Sequence, residues 1–534
     1  MSHHRYGGAA SFAAFALIAA VACGGDGDTA PGGARAQNDP RPGMLVIGLS
    51  DDPAHLNPGI TTQGGVHAAS RMLYSGLVGL DEDQRPIPEL ARSWEVLGDG
   101  RLYRFHLRDD VLWHDGRRFT SADVKFSFDE ILLKYHARAR ASLGTVLDSI
   151  SVPDSLTAEF HFREPYAPLL QQLNVHEAVM LPRHVYEGTD PPTNPANLAP
   201  VGTGPFRFVS HEPDVEIRYE ANPDYFKPGL PRLDRIVMRV VPDGGTQVLA
   251  LEAGEIDWLY GAPPPEHERL QQEGFVLIPS AINAGGANCI MTLSFNLDRP
   301  LWQDRGMRRA LAHGIDRAQV LERVNFGQGR IADAPISSQI TFAHAAGLPM
   351  PQHDSARAAE LFRAGGIDPR SRRRVEFLHF PSFIPYAELL RAQLAPFGLD
   401  LVSRPLEPAS FVEAVFVRRD FDLNLISYCN MTDPEIGVRR MYVTSNIAPV
   451  PFSNASGYRN PVVDSLFDEG RTRVGLDARG EAYRRIQEIL VEDLPYFWLV
   501  ESVTTWVHSP RCEGFQRFGH FAETATCGTT DGGG

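Results

Sequence analysis

The chain has 534 residues, of which 43% are apolar and 22% charged, and its formal net charge is −15. That length is too great for one simple domain and suits two to four, and the composition is that of a soluble globular protein. The acidic balance disfavours nucleic acid or an anionic membrane surface as a partner, because both select for basic patches.

The chain opens on a leader. Arg5 precedes AASFAAFALIAAVA, Ala9 to Ala22, a run of signal-peptide length and too short for a comfortable membrane span. It ends at Cys23. The small residues Val21 and Ala22 before that cysteine resemble a bacterial lipobox, where the signal (1–22) is cleaved and the thiol is lipid-modified, although Ala20 stands where Leu is usual. An ordinary cleavable signal with an incidental cysteine is the alternative. Residues 23–43, rich in Gly, Asp and Pro, cannot build a core and are predicted to be a flexible tether. No other apolar run is long enough to span a bilayer.

Ordered structure is expected from Met44, where MLVIGLS reads as a buried strand. In LYRFHL, Tyr103, Phe105 and Leu107 alternate with Arg104, His106 and Arg108, the period of a strand with one buried face. The period then changes. Thr120 and Asp123 form a capping-box start, and Val124, Phe128, Ile131 and Leu132 fall on one helical face. Later, Met307, Leu311 and Ile315 share a face, and Asp316 can cap the next helix. Ser355 precedes a helix that stops at Gly365-Gly366, and Gly398 ends another before the strand-like LDLVS. Tyr483, Ile486 and Leu490 make an amphipathic helix ended by Pro495, and YFWLVES reads as a buried strand. Helix–strand alternation with short loops indicates an α/β protein.

With Cys23 set aside, Cys289, Cys429, Cys512 and Cys527 remain. An even number in an exported chain points to disulfides, with three connectivities open. Cys512 with Cys527 is the simplest pair, closing a short loop worth about 3 kcal/mol in the chain-entropy model. Cys289 and Cys429 are then left to pair or to stay as buried thiols, and neither has zinc-site spacing. No catalytic signature is present: there is no GxSxG elbow, no HExxH and no phosphate loop ending in GK[ST]. VGTGPF lacks dinucleotide-site spacing, and HEAVM and HERLQ lack the second histidine of a zincin. These absences do not by themselves exclude an enzyme, but no constellation proposes a reaction, and a protein that is not an enzyme, with no cofactor and no metal site, is expected.

One long stretch is specific. PELARSWEVLGDGRLYRFHLRDDVLWHDGRRFTSADVKFSF, Pro88 to Phe128, resembles the signature region of family 5 extracellular solute-binding proteins. PVGTGPFRF from Pro200, NPDYF from Asn222, LEAGEIDW from Leu251, FNLDRPLWQDRGMRRALAHGIDR from Phe295 and GYRNPVVDSLFDEGR from Gly457 follow in the family's order. Most of these motifs read as strand pairs, caps and turns that identify the fold and do not mark the ligand site.

The resemblance implies an α/β, two-lobed periplasmic-binding type II fold with an extra domain inserted in lobe I, the three-domain cluster C type. Projected here, lobe I comprises 44–80, 186–285 and 500–525, the inserted domain 81–185, lobe II 286–499, and the tail 526–534. Crossover strands fall near Asn288 to Leu293 and Phe497 to Ser502, and a Cys289–Cys429 bridge becomes possible beside the cleft. Binding selects the closed state, which an ABC permease reads. The protein is then an exported monomer, periplasmic or at the cell surface, anchored through lipidated Cys23. It captures a small-molecule or peptide ligand for the permease's transmembrane subunits. A sensor that captures a ligand and signals to a receptor without uptake is the alternative.

The same resemblance places the ligand site on SYCNMTDPE. In the peptide-binding branches an aspartate three residues before the acidic-Pro pair holds the ligand's α-amino group. Counting back from Asp433-Pro434 lands on Asn430, which supplies no counter-charge. An unpaired buried ammonium costs about 2–5 kcal/mol, roughly thirtyfold to several thousandfold in affinity. The alternative register lets Asp433 do the anchoring. Tyr428 is expected to offer a stacking face, with Met431 and Thr432 beside it. The dipeptide branch also draws a carboxylate-binding arginine from a loop that here, VEFLHFPSFIPY, offers only His379, Ser382, Phe383 and Tyr386. A ligand without a free N-terminus is therefore expected: a glycan, a blocked or cyclic peptide, or another uncharged polar or aromatic solute. A nickel chelate, which needs few direct protein ligands, is a weaker fit.

Overall fold

A computed structural model describes residues 42–528 except 83, 280–287, 450–451 and 517–519. The signal segment, Cys23 and residues 529–534 lie outside the described residues. Among the described residues no helix is long and apolar enough to cross a membrane.

Two mixed sheets carry the fold. The first has seven strands in the order Val276–Pro279, Thr505–His508, Trp258–Leu259, Met44–Leu49, Arg235–Val240, Glu216–Ala221 and Phe206–Glu212. Met44–Leu49 lies parallel to both of its neighbours, and nearly all of its side chains are buried. Such two-sided burial is what a continuous apolar run encodes. The second sheet has six strands: Arg330–Ile331, Tyr496–Glu501, Cys289–Phe295, Leu423–Cys429, Arg373–His379 and Leu399–Pro405. Two adjacent inner strands, Tyr496–Glu501 and Cys289–Phe295, are buried at every residue.

Between Met44–Leu49 and Phe206–Glu212 in sequence, Ala91–Leu97, Leu102–Leu107, Thr157–Phe162 and Leu147–Asp154 form a four-stranded antiparallel sheet. Tyr103, Phe105 and Leu107 face its core, as their alternation predicts. The Thr120–Asp123 capping box is present at the helix that starts at Ser121. The helix runs regularly to Phe126 and then takes a π-helical turn over Ser127–Leu132. Val124, Phe128 and Leu132 join the core of the inserted sheet, while Phe126 and Ile131, five residues apart, join the core of the first sheet. The widened turn brings a five-residue spacing onto one face, so one helix serves two cores where a single apolar face was expected.

The chain passes from the first sheet to the second between Pro279 and Cys289, and returns between Glu501 and Thr505. The segments projected as crossovers, Asn288 to Leu293 and Phe497 to Ser502, are therefore mostly inner strands of the second sheet. Their uninterrupted apolar runs bury them on both faces, and a linker between lobes could not do that. Asp354, not Ser355, caps the helix over Ser355–Ala364, its side chain accepting from the Arg357 N–H. Residues Thr526–Cys527, placed in the tail, form a strand against Cys512–Glu513. Cys512 is bonded to Cys527, and the Cys527 carbonyl accepts from the Gly43 N–H at 2.9 Å, tying the two ends of the described chain together. Cys289 is bonded to Cys429 across the directly paired strand ends of the second sheet.

Candidate functional site

The Leu423–Cys429 strand has neighbours on both sides, so its backbone is paired and its side chains alternate between two faces. Ser427, Cys429 and, past the strand end, Met431 line a cavity of about 700 Å³. Tyr428, Asn430 and Thr432 point the other way and are buried. This alternation decides which parts of SYCNMTDPE can meet a solute.

Tyr428 cannot. Its ring packs edge-on against Tyr496 at 6.1 Å within the main core of the second sheet. Burial pushes its hydroxyl well above the usual tyrosine range. It is a core side chain and not the expected stacking face.

Asn430 is also committed inward. Its Oδ1 accepts from the Ser337 N–H at 2.7 Å, and its own N–H donates to the Asn288 carbonyl at 3.3 Å. Ser337 in turn donates through Oγ to Glu501 at 3.0 Å. Gly437 packs directly on the Asn430 backbone, where a Cβ would lie 2.2 Å from the carbonyl carbon. The amide is thus a structural tie between the strand end and the Ser337 turn. Thr432 reaches across to the inserted domain, its Oγ1 donating to the Gln171 carbonyl at 3.2 Å.

Asp433 caps the short helix Pro434–Gly437, its Oδ1 accepting from the Glu435 N–H at 2.9 Å. The same oxygen pairs with Arg479 Nη2 at 2.7 Å, with both side chains buried. Its charge is already matched, which removes the alternative that Asp433 anchors a ligand amine. His379, Ser382, Phe383 and Tyr386 lie one layer away from the cavity. His379 is buried between the Phe380 carbonyl at 2.8 Å and Ser403 Oγ at 2.7 Å, and Tyr386 donates to Asn325 at 2.6 Å. Ser382 is exposed and Phe383 half-buried, its ring against Phe380. The rings of Phe380, Phe411, Phe416 and Phe452 form a chain of contacts from this loop, and only Phe452 reaches the cavity lining.

Met431 and Cys429 line the large cavity as expected, whereas its charged residues have no counterpart in the expected set. From the inserted domain come Arg138 and Arg140, and from the second lobe Glu435, Arg439 and Arg440. Arg138 is bonded to Glu177 at 2.8 Å. Arg439 pairs with Asp468 at 2.9 Å and lies 3.4 Å from Glu435. Burial pushes the Glu435 carboxyl up to about 8 despite the guanidiniums of Arg439 and of Arg471, the latter at 3.8 Å. Glu435 is therefore largely uncharged at neutral pH and a poor counter-ion for an amine. Arg440 donates only to the carbonyls of Gly437 and Cys429, at 3.0 and 3.3 Å. The wall is cationic, so the expectation of an uncharged ligand is not what its electrostatics favour. The signal was present in the spacing HARAR and the pair Arg439-Arg440, once strand alternation and the approach of the inserted domain are known.

A second cavity of about 380 Å³ lies at the carboxyl ends of the parallel strands of the first sheet. Asp51, His67, Arg71, His176, Tyr260 and, on the return passage between sheets, Thr504 are among its lining. Ligands in open α/β sheets bind at such strand ends. The two sides of the cleft are in contact. Besides Thr432 with Gln171, the Ala167 N–H donates to the Arg471 carbonyl at 2.9 Å, Glu164 pairs with Arg471, and the Gln84 side chain donates to the Gln339 carbonyl. Among the described residues no group of three or more His, Cys, Asp or Glu could hold a metal ion.

Comparison with known proteins agrees with this geometry. Residues 85–448 match the family model for bacterial extracellular solute-binding proteins, family 5, middle region. Protein XP55 of Streptomyces lividans is 28% identical over 534 residues, covering 95% of this chain and 91% of that protein. The peptide transport periplasmic protein SapA of Salmonella typhimurium is 27% identical, covering 88% of each chain. The crystal structure of the ABC transporter substrate binding protein CtaP of Listeria monocytogenes shares the fold with a TM-score of 0.78 at 22% identity, covering 89% of this chain and 95% of that one.

Proposed function

The chain belongs to family 5 of the bacterial extracellular solute-binding proteins, and from that membership we propose that it is the extracytoplasmic capture component of an ABC importer, taking a polar, peptide-like solute that lacks a free N-terminus and delivering it to a membrane permease. One observation carries the ligand reading. Asn430 is held by internal partners and the Asp433 charge is matched by Arg479, with Asp433 Oδ2 buried, so neither offers a solute ammonium a free counter-charge. Glu435 is held protonated near neutral pH, and Asp51, at the other cavity, is exposed, where a charge pair is screened and weak.

Capture follows from the architecture. The 700 Å³ cavity lies between the inserted domain and the second lobe and the 380 Å³ cavity on the first lobe, and closure of one lobe on the other buries a solute. The reading as a binding protein and not an enzyme rests on the family. Export through the leader, attachment to the membrane by lipid at Cys23 and action as a monomer complete the reading, supported by the Ala9–Ala22 run and the tether composition. Matched peptide libraries with free and with acetylated N-termini test the ligand class by thermal shift. Acetylated peptides should stabilise the protein. Tight binding confined to peptides with a free N-terminus would refute the reading, as would a gain of peptide binding in Asn430→Asp.

A further inference from the structure

We propose that the captured solute carries a carboxylate and that Arg71 is its anchor on the first lobe; this rests on the reading of the chain as a solute-binding protein. Arg71 is only 5% exposed and lines the 380 Å³ cavity. Its guanidinium carbon sits 4.2 Å from the ring centre of Phe521, 5.1 Å from Tyr260 and 5.7 Å from Trp506. Aromatic faces hold a cation through their quadrupoles but supply no in-plane acceptor. Nε and Nη2 are buried with no hydrogen-bond partner, and no carboxylate of the described residues is paired with this side chain.

Three other buried arginines of the described residues each donate to an oxygen, although Arg479 Nη1 has no partner. Arg479 has Asp433 at 2.7 Å, Arg308 has the Leu494 carbonyl at 3.0 Å, and Arg317 has the Trp498 carbonyl at 3.1 Å. A buried cation without a counter-charge is costly and persists where a ligand completes it. A planar carboxylate supplies both the charge and the paired acceptors that a guanidinium matches. One guanidinium also balances one carboxylate, whereas a phosphate dianion would leave excess charge buried in the cavity.

The rest of the lining offers no competing cation. Burial lowers the pKa of both His67 and His176, so neither is charged at neutral pH. Asp51, the acidic residue of the lining, is exposed and accepts from Ser50 Oγ at 2.8 Å. In the separate 700 Å³ cavity, Arg440 donates to the Gly437 and Cys429 carbonyls, so the unpartnered guanidinium atoms of Arg71 are the feature on which the anchor rests.

The test uses the full chain, stripped of solute by unfolding and refolding, and N-acetyl-dipeptides prepared both as free acids and as C-terminal amides. Calorimetric titration should show acids binding about thirtyfold to several thousandfold more tightly than their amides. Arg71→Met should remove that preference, and Arg71→Lys should restore part of it. Melting curves separate this from misfolding, because replacing an unpaired cation by Met should not lower the melting temperature of the unliganded chain. If Arg71→Met does not fold, the acid–amide comparison on the unaltered protein decides. Equal binding of acids and amides overturns the proposal and leaves solute capture standing, as does an acid preference unchanged in Arg71→Met. Binding by neither set overturns it as well, and binding only by peptides with a free N-terminus also overturns the amine-free reading.

Discussion

Replacing Asp433 by Asn isolates one charge in the second lobe. The amide keeps an oxygen for the Glu435 N–H, so the helix cap survives, but Arg479 loses its counter-ion at 2.7 Å. The guanidinium is 1% exposed and retains the Gly470 carbonyl at 2.6 Å and the Tyr483 hydroxyl at 3.1 Å, neither of which carries charge. Removing one partner of a buried pair costs about 3–5 kcal/mol. For a folding unit of roughly 200 residues that lowers the melting temperature by about 6–20 °C. Scanning calorimetry of the unliganded protein measures it. The double change Asp433→Leu with Arg479→Met should recover most of the loss, since it leaves no orphaned charge. An unchanged melting temperature in Asp433→Asn together with lost solute binding would refute the reasoning and return Asp433 to the ligand site.

Further outcomes follow from neighbouring groups. Glu435 is protonated more readily in the folded chain than in the unfolded one, so its contribution to stability is full below the ordinary carboxylate range and is lost as pH rises through about 8. Glu435→Gln should therefore match the unaltered protein in urea unfolding near pH 4.5 and exceed it at pH 8.5 by on the order of a few kcal/mol; a constant offset would contradict the assignment. The Cys289–Cys429 bond spans 140 residues and the Cys512–Cys527 bond 15. Chain entropy then gives the long one about 5 kcal/mol against about 3 for the short one, so Cys289→Ser/Cys429→Ser should melt lower than Cys512→Ser/Cys527→Ser, and the reverse order would contradict this account.

Much of the fold was legible because local chemistry and global placement agree. Alternation at Tyr103, Phe105 and Leu107, the Thr120–Asp123 box and the left-handed Gly398 each need only neighbours in sequence to explain them. The inner strands Cys289–Phe295 and Tyr496–Glu501 match projected crossovers in sequence, because an apolar run does not say which sheet buries it. The site was less legible. Counting residues from Asp433-Pro434 pointed to Asn430 but not to the direction of its side chain. Applying the two-residue period to Leu423–Cys429 would have turned Tyr428 to the core and Ser427 and Cys429 to the cavity. Arg71 was invisible for another reason. Its significance lies in partners it lacks, and only the packing of Tyr260, Trp506 and Phe521 around it shows that.

Capture by closure is tested most directly by small-angle X-ray scattering. Stripped protein would be dialysed against buffer or against a low-molecular-weight extract of its own cells, with thermal melting run in parallel. Capture predicts a smaller radius of gyration in the extract, as contacts such as Thr432 with Gln171 form, and a stabilisation of about 2.7 kcal/mol at a hundred times the dissociation constant. An unchanged radius and an unchanged melting temperature in concentrated extract would contradict it.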